Sequence, residues 1–438
     1  MRVIVIGAGL AGLTATAVLR GAGCEVTLVE AGPRPGGRAR TVTEPFTNGQ
    51  YAESGGEWVD TCHHRMLDLL DFYGLERLGD GEQWTTIRHW LFREGRLFSP
   101  ADLLDIEPRL NEELAEFDRI VENAMAGITD PGRPQDHPDA ATVDSQSLAD
   151  VADRAGLGEL ALFFKRRNAQ GEFAAEPEQV SLLFVAQQRV NAARHSGGDE
   201  VRAHRVAGGL RRLTTAMAAE QADVLSLDER LLAVDQRADH ASVRTTRRSM
   251  IADFVVLTCA LPPLRSVRFT PDLPRSLHDA VHELGYGTVT KTAVQFPHRS
   301  WPVGYATTAG PLQRVYEPTR DQPGDSGILM SYCGGSSGHE WARLTERERI
   351  ERATEEFGAM YAIENEAVGG FSRAWSTEPR FGGSYAVYQP GQVTRFWEVL
   401  RQPFGRVWLA GEHVATTTGY LEGAVESGQA VAQAILSQ

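Results

Sequence analysis

The sequence predicts an α/β and α+β chain in which a dinucleotide-binding domain is split along the sequence and a domain of mixed sheet plus helices is inserted between its pieces. Three observations predict it. A strand, glycine turn, helix and second strand open the chain in RVIVIGAGLAGLTATAVLRGAGCEVTLVE. A strand, loop and helix close it in RVWLAGEHVATTTGYLEGAVESGQAVAQAI. The 438 residues exceed one ordinary core, so two domains are expected.

The opening unit is Rossmann-like. Val3 to Ile6 read as a buried strand, and Gly7, Gly9 and Gly12 give the G-x-G-x-x-G spacing. Gly7 makes the tight turn, Gly9 lets backbone N–H groups approach a pyrophosphate, and Gly12 lets helix touch strand. The helix begins at Leu10 and Ala11, and its N-terminus offers free donors and a positive dipole end to phosphates. Glu30, followed by Ala31, lies 18 residues after Gly12, where an acid is expected to bind the adenosine ribose.

Beyond it, AGPRPGGRARTV is a Gly, Pro and Arg loop, and HHRMLDLLDFYGL is a helical pattern. Residues from about 80 to 200 read as mostly helical, with Ser145 or Ser147 capping the helix after a Pro-punctuated loop. IADFVVLTCALPP, GTVTKTAVQF and GILMSYCGG read as strands, the second alternating, and RERIERATEEFGAMYA as an amphipathic helix. These elements place the dinucleotide domain at 1–78, 204–280 and 391–438, and the substrate domain at 79–203 and 281–390.

Composition narrows the function. Hydrophobic residues make up 42% and charged residues 23%, as in ordinary soluble domains. A net charge of −14 points away from nucleic acid and acidic membranes as partners. Cys24, Cys62, Cys259 and Cys333 lack metal or C-x-x-C spacing, so no metal is expected and reduced thiols of a cytoplasmic protein are. The first strand begins at residue 2, leaving no room for a signal peptide, and no apolar run approaches 18 residues. Of the 44 Lys and Arg residues only Lys165 and Lys291 are lysine. A lysine kept against that bias is a candidate for a task that needs lysine, and Lys291 sits inside an apolar strand, where it requires a partner.

Five features in order resemble the FAD-dependent amine oxidase family, which includes monoamine, putrescine and other polyamine, and L-amino-acid oxidases. They are the glycine turn with Glu30; Gly36-Gly37-Arg38; Gly55-Gly56-Glu57-Trp58; Lys291; and the C-terminal set Trp375, Tyr385 and Tyr420. The resemblance spans essentially the whole chain. It implies FAD, with Gly36-Gly37-Arg38 wrapping the cofactor, the Arg38 side chain neutralising pyrophosphate or packing at the flavin, and Gly55, Gly56, Glu57 and Trp58 at the isoalloxazine ring. A second Gly-Arg segment is not needed by an NAD enzyme, and two phosphates in a closed site favour a fixed cation.

The resemblance further implies that Lys291 holds a water that assists reaction with O2, and that Tyr385 and Tyr420 flank the amine beside Trp375. Two ring faces make a narrow apolar slot that dehydrates an amine and favours its neutral, hydride-donating form. The family places a helix N-terminus, here Tyr420 and Leu421, at the flavin, a ribityl contact at Gly411 and Glu412, and backbone contact with adenine at Leu231. Some members attach FAD through a cysteine just before the first cage tyrosine; Ser384 stands there, so non-covalent FAD is expected.

The implied reaction is oxidative deamination of a small-molecule amine with O2 as acceptor and peroxide as product. The membrane tail of mitochondrial members is missing, and a homodimer is a family-based expectation. His63 and His64 fall near a polar position of polyamine-oxidising members, although a histidine pair at a helix start is expected to be simply exposed. Arg88, Arg189 and Arg194 are candidates to bind a substrate carboxylate. The alternatives are an L-amino-acid oxidase, a related desaturase or protoporphyrinogen-type oxidase, and a non-catalytic flavin-binding scaffold.

Overall fold

A central parallel sheet organises the chain, and its strands come from widely separated stretches. The computed structural model describes residues 1–83, 89–364 and 366–438. The sheet runs in the order Leu225–Ser226, Glu25–Val29, Arg2–Ile6, Phe254–Leu257 and Val407–Leu409. All its pairings are parallel. Val3 to Ile6 form the middle strand and are buried on both sides, as an apolar run in a doubly covered parallel sheet should be. Parallel neighbours need long crossovers, and here two crossovers contain most of the protein.

The helix Leu10–Gly21 covers one face of this sheet and packs along the final helix, Leu421–Leu436. Small residues permit the approach: a Cβ at Gly428 would overlap the Ala11 carbonyl, and one at Gly12 would overlap that of Gly7. A four-stranded sheet, in the order Ser249–Ala252, Ala241–Thr245, Leu231–Gln236 and Arg268–Thr270, flanks the Phe254–Leu257 strand in sequence.

The other large sheet has seven strands. Their order is Gly369–Ala374, Val289–Phe296, Gly327–Gly334, Arg314–Tyr316, Tyr305–Thr308, His89–Arg93 and Arg96–Phe98. The Val289–Phe296 strand was expected to alternate between a wet and a dry face, yet all eight residues are buried. The helices Gly335–Ala342 and Glu346–Tyr361 pack on the Val294 and Phe296 face, and the segment from Phe46 to Glu57 covers the Lys291, Ala293 and Gln295 face, so neither meets bulk solvent. Across this strand Lys291 is in register with both Tyr332 and Arg373.

Residues from 100 to 196 are mostly helical, including Leu110–Met125, Leu148–Ala155, Glu159–Glu172 and Leu182–Ser196. Ser147 caps Leu148–Ala155 and forms a capping box with Asp150, which decides between the two candidate serines. The stretch just before is β instead. Arg77–Gln83 pairs with Arg202–Val206, and His89–Arg93 forms a hairpin with Arg96–Phe98. Glu94 and Gly95 both take positive φ there, the signature of a tight two-residue hairpin turn. None of the described helices is long and apolar enough to cross a membrane.

Candidate active site

The parallel strands all end on one side, and the residues just past their carboxyl ends meet there. Gly7, Glu30, Thr258 and Gly411 follow four of them and line one cavity of about 730 Å³. The cavity continues to the seven-stranded sheet and the helical segment. Of the residues expected at the site, Gly7, Gly9, Leu10, Ala11, Glu30, Ala31, Gly37, Arg38, Gly55, Gly56, Glu57, Trp58, Leu231, Lys291, Trp375, Tyr385, Gly411, Glu412, Tyr420 and Leu421 all line it. Gly12 does not, because its place is against the Gly7 carbonyl.

At the glycine end, Gly7 takes φ +107°, a conformation that only glycine adopts readily. Gly9 is the N-cap of Leu10–Gly21 and no side chain caps that helix, so its first N–H groups are left for a ligand. A Cβ on Gly9 would find no atom within 4 Å, so it would project into open space. The Glu30 carboxylate accepts the Ala8 N–H at 2.8 Å and the Gly32 N–H at 2.7 Å. Burial raises its pKa, opposed by these two bonds.

Arg38 behaves differently from a free phosphate cation. Its Nη1 donates to Glu412 Oε1 at 2.8 Å and to the Ser384 carbonyl at 2.7 Å. Glu412 also accepts the Gly419 N–H at 3.0 Å. The pair thus ties the first segment of the nucleotide site to the last.

The middle of the cavity is assembled around Gly55, Gly56 and Lys291. A Cβ at Gly55 would overlap the Arg38 carbonyl, and one at Gly56 would lie 2.8 Å from Leu421 Cδ2. Trp375 Nε1 donates to the Ser54 carbonyl at 2.7 Å, which fixes the indole beside this turn. Lys291 is buried, not solvent-facing. Its Nζ donates to the Gly55 carbonyl at 2.9 Å, the Glu53 carbonyl at 3.3 Å and Glu57 Oε2 at 2.9 Å. Glu57 also accepts from Arg205 Nε at 2.7 Å and Tyr316 Oη at 2.6 Å. Despite full burial, the Lys291 ammonium and Arg205 guanidinium hold the Glu57 carboxyl down at about 2.

Beyond Lys291 the cavity becomes aromatic. Tyr385 Oη donates to the Glu172 carbonyl at 3.0 Å and meets Tyr332 Oη at 2.8 Å. Burial pushes the Tyr332 phenol up to about 12 and holds the Tyr385 phenol well above its usual value, so both stay neutral at working pH. Tyr420, the N-cap of the final helix, keeps 40% of its surface exposed and lines the cavity.

His63 contradicts the expectation of an exposed pair. It is 4% exposed, its ring sits 5.3 Å from that of Tyr420, and Nδ1 accepts the Asp60 N–H at 3.0 Å. Burial, with His195 and His64 nearby, lowers its pKa to about 4. The reason is local: residue 63 is the helix N-cap turned inward, whereas His64 begins the helix at the surface and bonds the His195 carbonyl at 2.9 Å. Neither histidine lines the cavity. Arg189 pairs with Asp118 and Arg194 donates to the Thr129 carbonyl, both away from the cavity lining. Arg88 lies outside the described residues.

Sequence reasoning missed several lining residues: Tyr332, Arg314, Glu172, Phe184 and Gln188. No motif marks them. Tyr332 could have been found from period-two spacing in the GILMSYCGG strand, had the strand's register against Lys291 been known.

A flavin dinucleotide fits these residues. Open space beyond Gly9, an uncapped helix end, and a buried Ser384 hydroxyl on the lining with no hydrogen-bond partner are the observations that support the fit. Fold and site together define a flavin-dependent oxidoreductase. The family model described as flavin-containing amine oxidoreductase matches residues 10–436. A zebrafish (Danio rerio) flavin-containing amine oxidase is 26% identical over 99% of this chain and 85% of its own length. An L-amino acid dehydrogenase of Synechocystis sp. is also 26% identical, over 99% of this chain and 94% of its own length. A putrescine oxidase structure superposes with a TM-score of 0.87 at 23% identity, covering 100% of this chain and 98% of that one. A cyclohexylamine oxidase from Brevibacterium oxydans gives 0.85 at 23% identity, with coverage of 100% and 98%. The two structures show the fold. The chain belongs to the flavin-containing amine oxidoreductase family, and it is an FAD enzyme acting on amines.

Proposed function

We propose that this protein is an oxidase that binds FAD non-covalently and deaminates a small-molecule amine, releasing a carbonyl compound, ammonia and hydrogen peroxide. One observation carries the reading: a single cavity joins the glycine turn and Glu30 to Lys291 and then to Tyr332, Tyr385 and Tyr420. When bound, FAD supplies a two-electron acceptor for hydride from the amine-bearing carbon.

The chain's own residues do the rest. The N–H groups after Gly9 hold the phosphates, and Glu30 holds the adenosine ribose. Ser384 supports non-covalent attachment, since no thiol stands at that position. The faces of Tyr385 and Tyr420 remove the amine from water and orient it, favouring the neutral form. Lys291, anchored by Glu57 and two carbonyls, fixes a positive charge at the turn of Gly55, and the water expected there for O2 reduction takes the N–H that now makes the long 3.3 Å contact with the Glu53 carbonyl. Residues 79–203 and 281–390 form the substrate domain in this reading.

Purified protein should be yellow, should release intact FAD on denaturation, and should bleach anaerobically with an amine. Colourless protein without a flavin band would overturn the reading. Flavin that stays attached to the denatured chain would overturn the non-covalent part alone.

A further inference from the structure

The seven-stranded sheet sets three cavity residues in a row. Lys291 stands opposite Tyr332, and Tyr332 stands opposite Arg314. Residues in direct register project to the same face of a sheet, and all three line the cavity. Each step is one strand spacing, so Arg314 lies about 10 Å from Lys291 at backbone level. The middle position carries the phenol that meets Tyr385. The order is therefore ammonium, tyrosine pair, guanidinium.

Arg314 is placed for a ligand. Its guanidinium packs on the last turn of the helix Glu159–Glu172, where a Cβ at Gly171 would lie 2.6 Å from Cζ. Any larger residue there would push the side chain away. Arg38 on the lining has Glu412 as its carboxylate, and Arg205 behind it has Glu57. The Arg314 guanidinium forms no hydrogen bond or ion pair among the described residues, although Arg314 lines the cavity. A guanidinium cannot shed its proton, and its forked N–H groups match a carboxylate.

The neighbouring Glu172 also lines the cavity without a side-chain hydrogen bond or ion pair among the described residues. Desolvation in the cavity raises its pKa above the usual carboxylate value. Arg189, Arg314 and Lys165 oppose that shift.

We propose that Arg314 seats a carboxylate of the substrate, and that the enzyme acts on an amine whose carboxylate lies several bonds from the carbon that is oxidised. The inference rests on the amine oxidase reading above. The row explains the separation: the reacting amine belongs between the tyrosines, and the anion is held beyond them. An α-amino acid carries its carboxylate one bond from the reacting carbon, on the near side of the tyrosines, whereas Arg314 stands one strand further on from Tyr332.

The test uses the flavin-loaded enzyme and a chain-matched set: n-butylamine, 1,4-diaminobutane, 4-aminobutanoate, 5-aminopentanoate and L-2-aminopentanoate. The ω-amino acids should give the highest kcat/KM. Arg314→Gln should lower it for them by about 100-fold, mainly through KM, as expected for loss of a charge-assisted bidentate contact. The loss on butylamine should be at least tenfold smaller, and Arg314→Lys should restore part of the difference. Butanoate should perturb the flavin absorption band of the resting enzyme, and Arg314→Gln should abolish that change while retaining the flavin. Preference for butylamine, the diamine or the α-amino acid would overturn the inference, as would equal losses on all substrates in Arg314→Gln. Absence of flavin or of any amine turnover would instead overturn the underlying functional reading.

Discussion

Lys291 Nζ lies 2.9 Å from Glu57 Oε2, with side-chain exposures of 5% and 1%. The two residues are 234 positions apart and join the Gly55 turn to the seven-stranded sheet. Glu57 also holds Arg205, so one carboxylate compensates two buried cations. Such an arrangement is tolerable only while every partner is present.

The partners should therefore be unequal. Glu57→Gln strands two cations and should cost about 3–5 kcal/mol, the range seen when a buried pair loses one member. Lys291→Met leaves Glu57 with Arg205 and Tyr316, so its loss of stability should be clearly smaller. Denaturant unfolding of the flavin-loaded variants measures both. Equal stability of the two would contradict the shared-carboxylate account.

Glu53 gives the same region a pH dependence. Its Oε1 accepts from Thr41 Oγ1 at 2.8 Å and from the Leu210 N–H at 2.8 Å, while Oε2 is buried without a partner. Burial raises its pKa from 4.5 to about 7, partly opposed by those bonds. A raised carboxyl pKa means the folded state binds the proton more tightly. Its contribution is complete below pH 4.5 and is lost as pH rises through about 7. Glu57 has the opposite sign: its contribution is present above pH 4.5 and is lost as pH falls toward about 2. Glu53→Gln should therefore gain stability relative to the parent as pH rises from 4.5 to 7. Parallel stability curves for the two proteins across that interval would refute the assignment.

The nucleotide half of the site was legible because its chemistry is local. A turn, a helix start and an acid must follow one another within about 30 residues, so Gly7, Gly9, Gly12 and Glu30 are readable from spacing. Lys291 stood out as one of two lysines and as a cation in an apolar strand, but its meeting with the motifs around Gly55 and Tyr385 was readable only through family resemblance, since it depends on tertiary packing. The partners Arg205, Tyr332 and Arg314 were not read at all. Their roles come from sheet register and from burial of one particular carboxylate, neither of which is encoded in a short window. His63 was misread because an inward-facing N-cap and an exposed helix start look alike in sequence.

Two glycines of the opening turn make separable predictions. Gly9 has φ −77°, and a methyl added there would meet only open space, so Gly9→Ala should fold with little change in stability. That methyl would occupy the place where phosphates approach the helix end, so flavin content should fall sharply. Gly12→Ala overlaps the Gly7 carbonyl and lies 2.9 Å from Thr258 Oγ1, so it should destabilise the apoprotein itself. Flavin content and apoprotein melting temperature, measured together, separate the two. A Gly9→Ala protein that keeps its full flavin complement would refute the phosphate assignment.

The tyrosine pair separates ring from hydroxyl. Tyr385 contributes a face to the cavity and a hydroxyl that ties Tyr332 to the Glu172 carbonyl. Tyr385→Phe keeps the face but frees the Tyr332 phenol, so kcat/KM should fall only about tenfold or less. Tyr385→Ala removes the face and lets the amine tumble, which should cost on the order of 100-fold, as for a reactant misplaced by about 1 Å. Burial keeps both phenols neutral, so the Phe variant should leave the alkaline limb of the pH–rate profile where it was. A shift of that limb in Tyr385→Phe would mean that a phenol titrates during turnover, and an Ala variant as active as the Phe variant would mean that the ring does not position the amine.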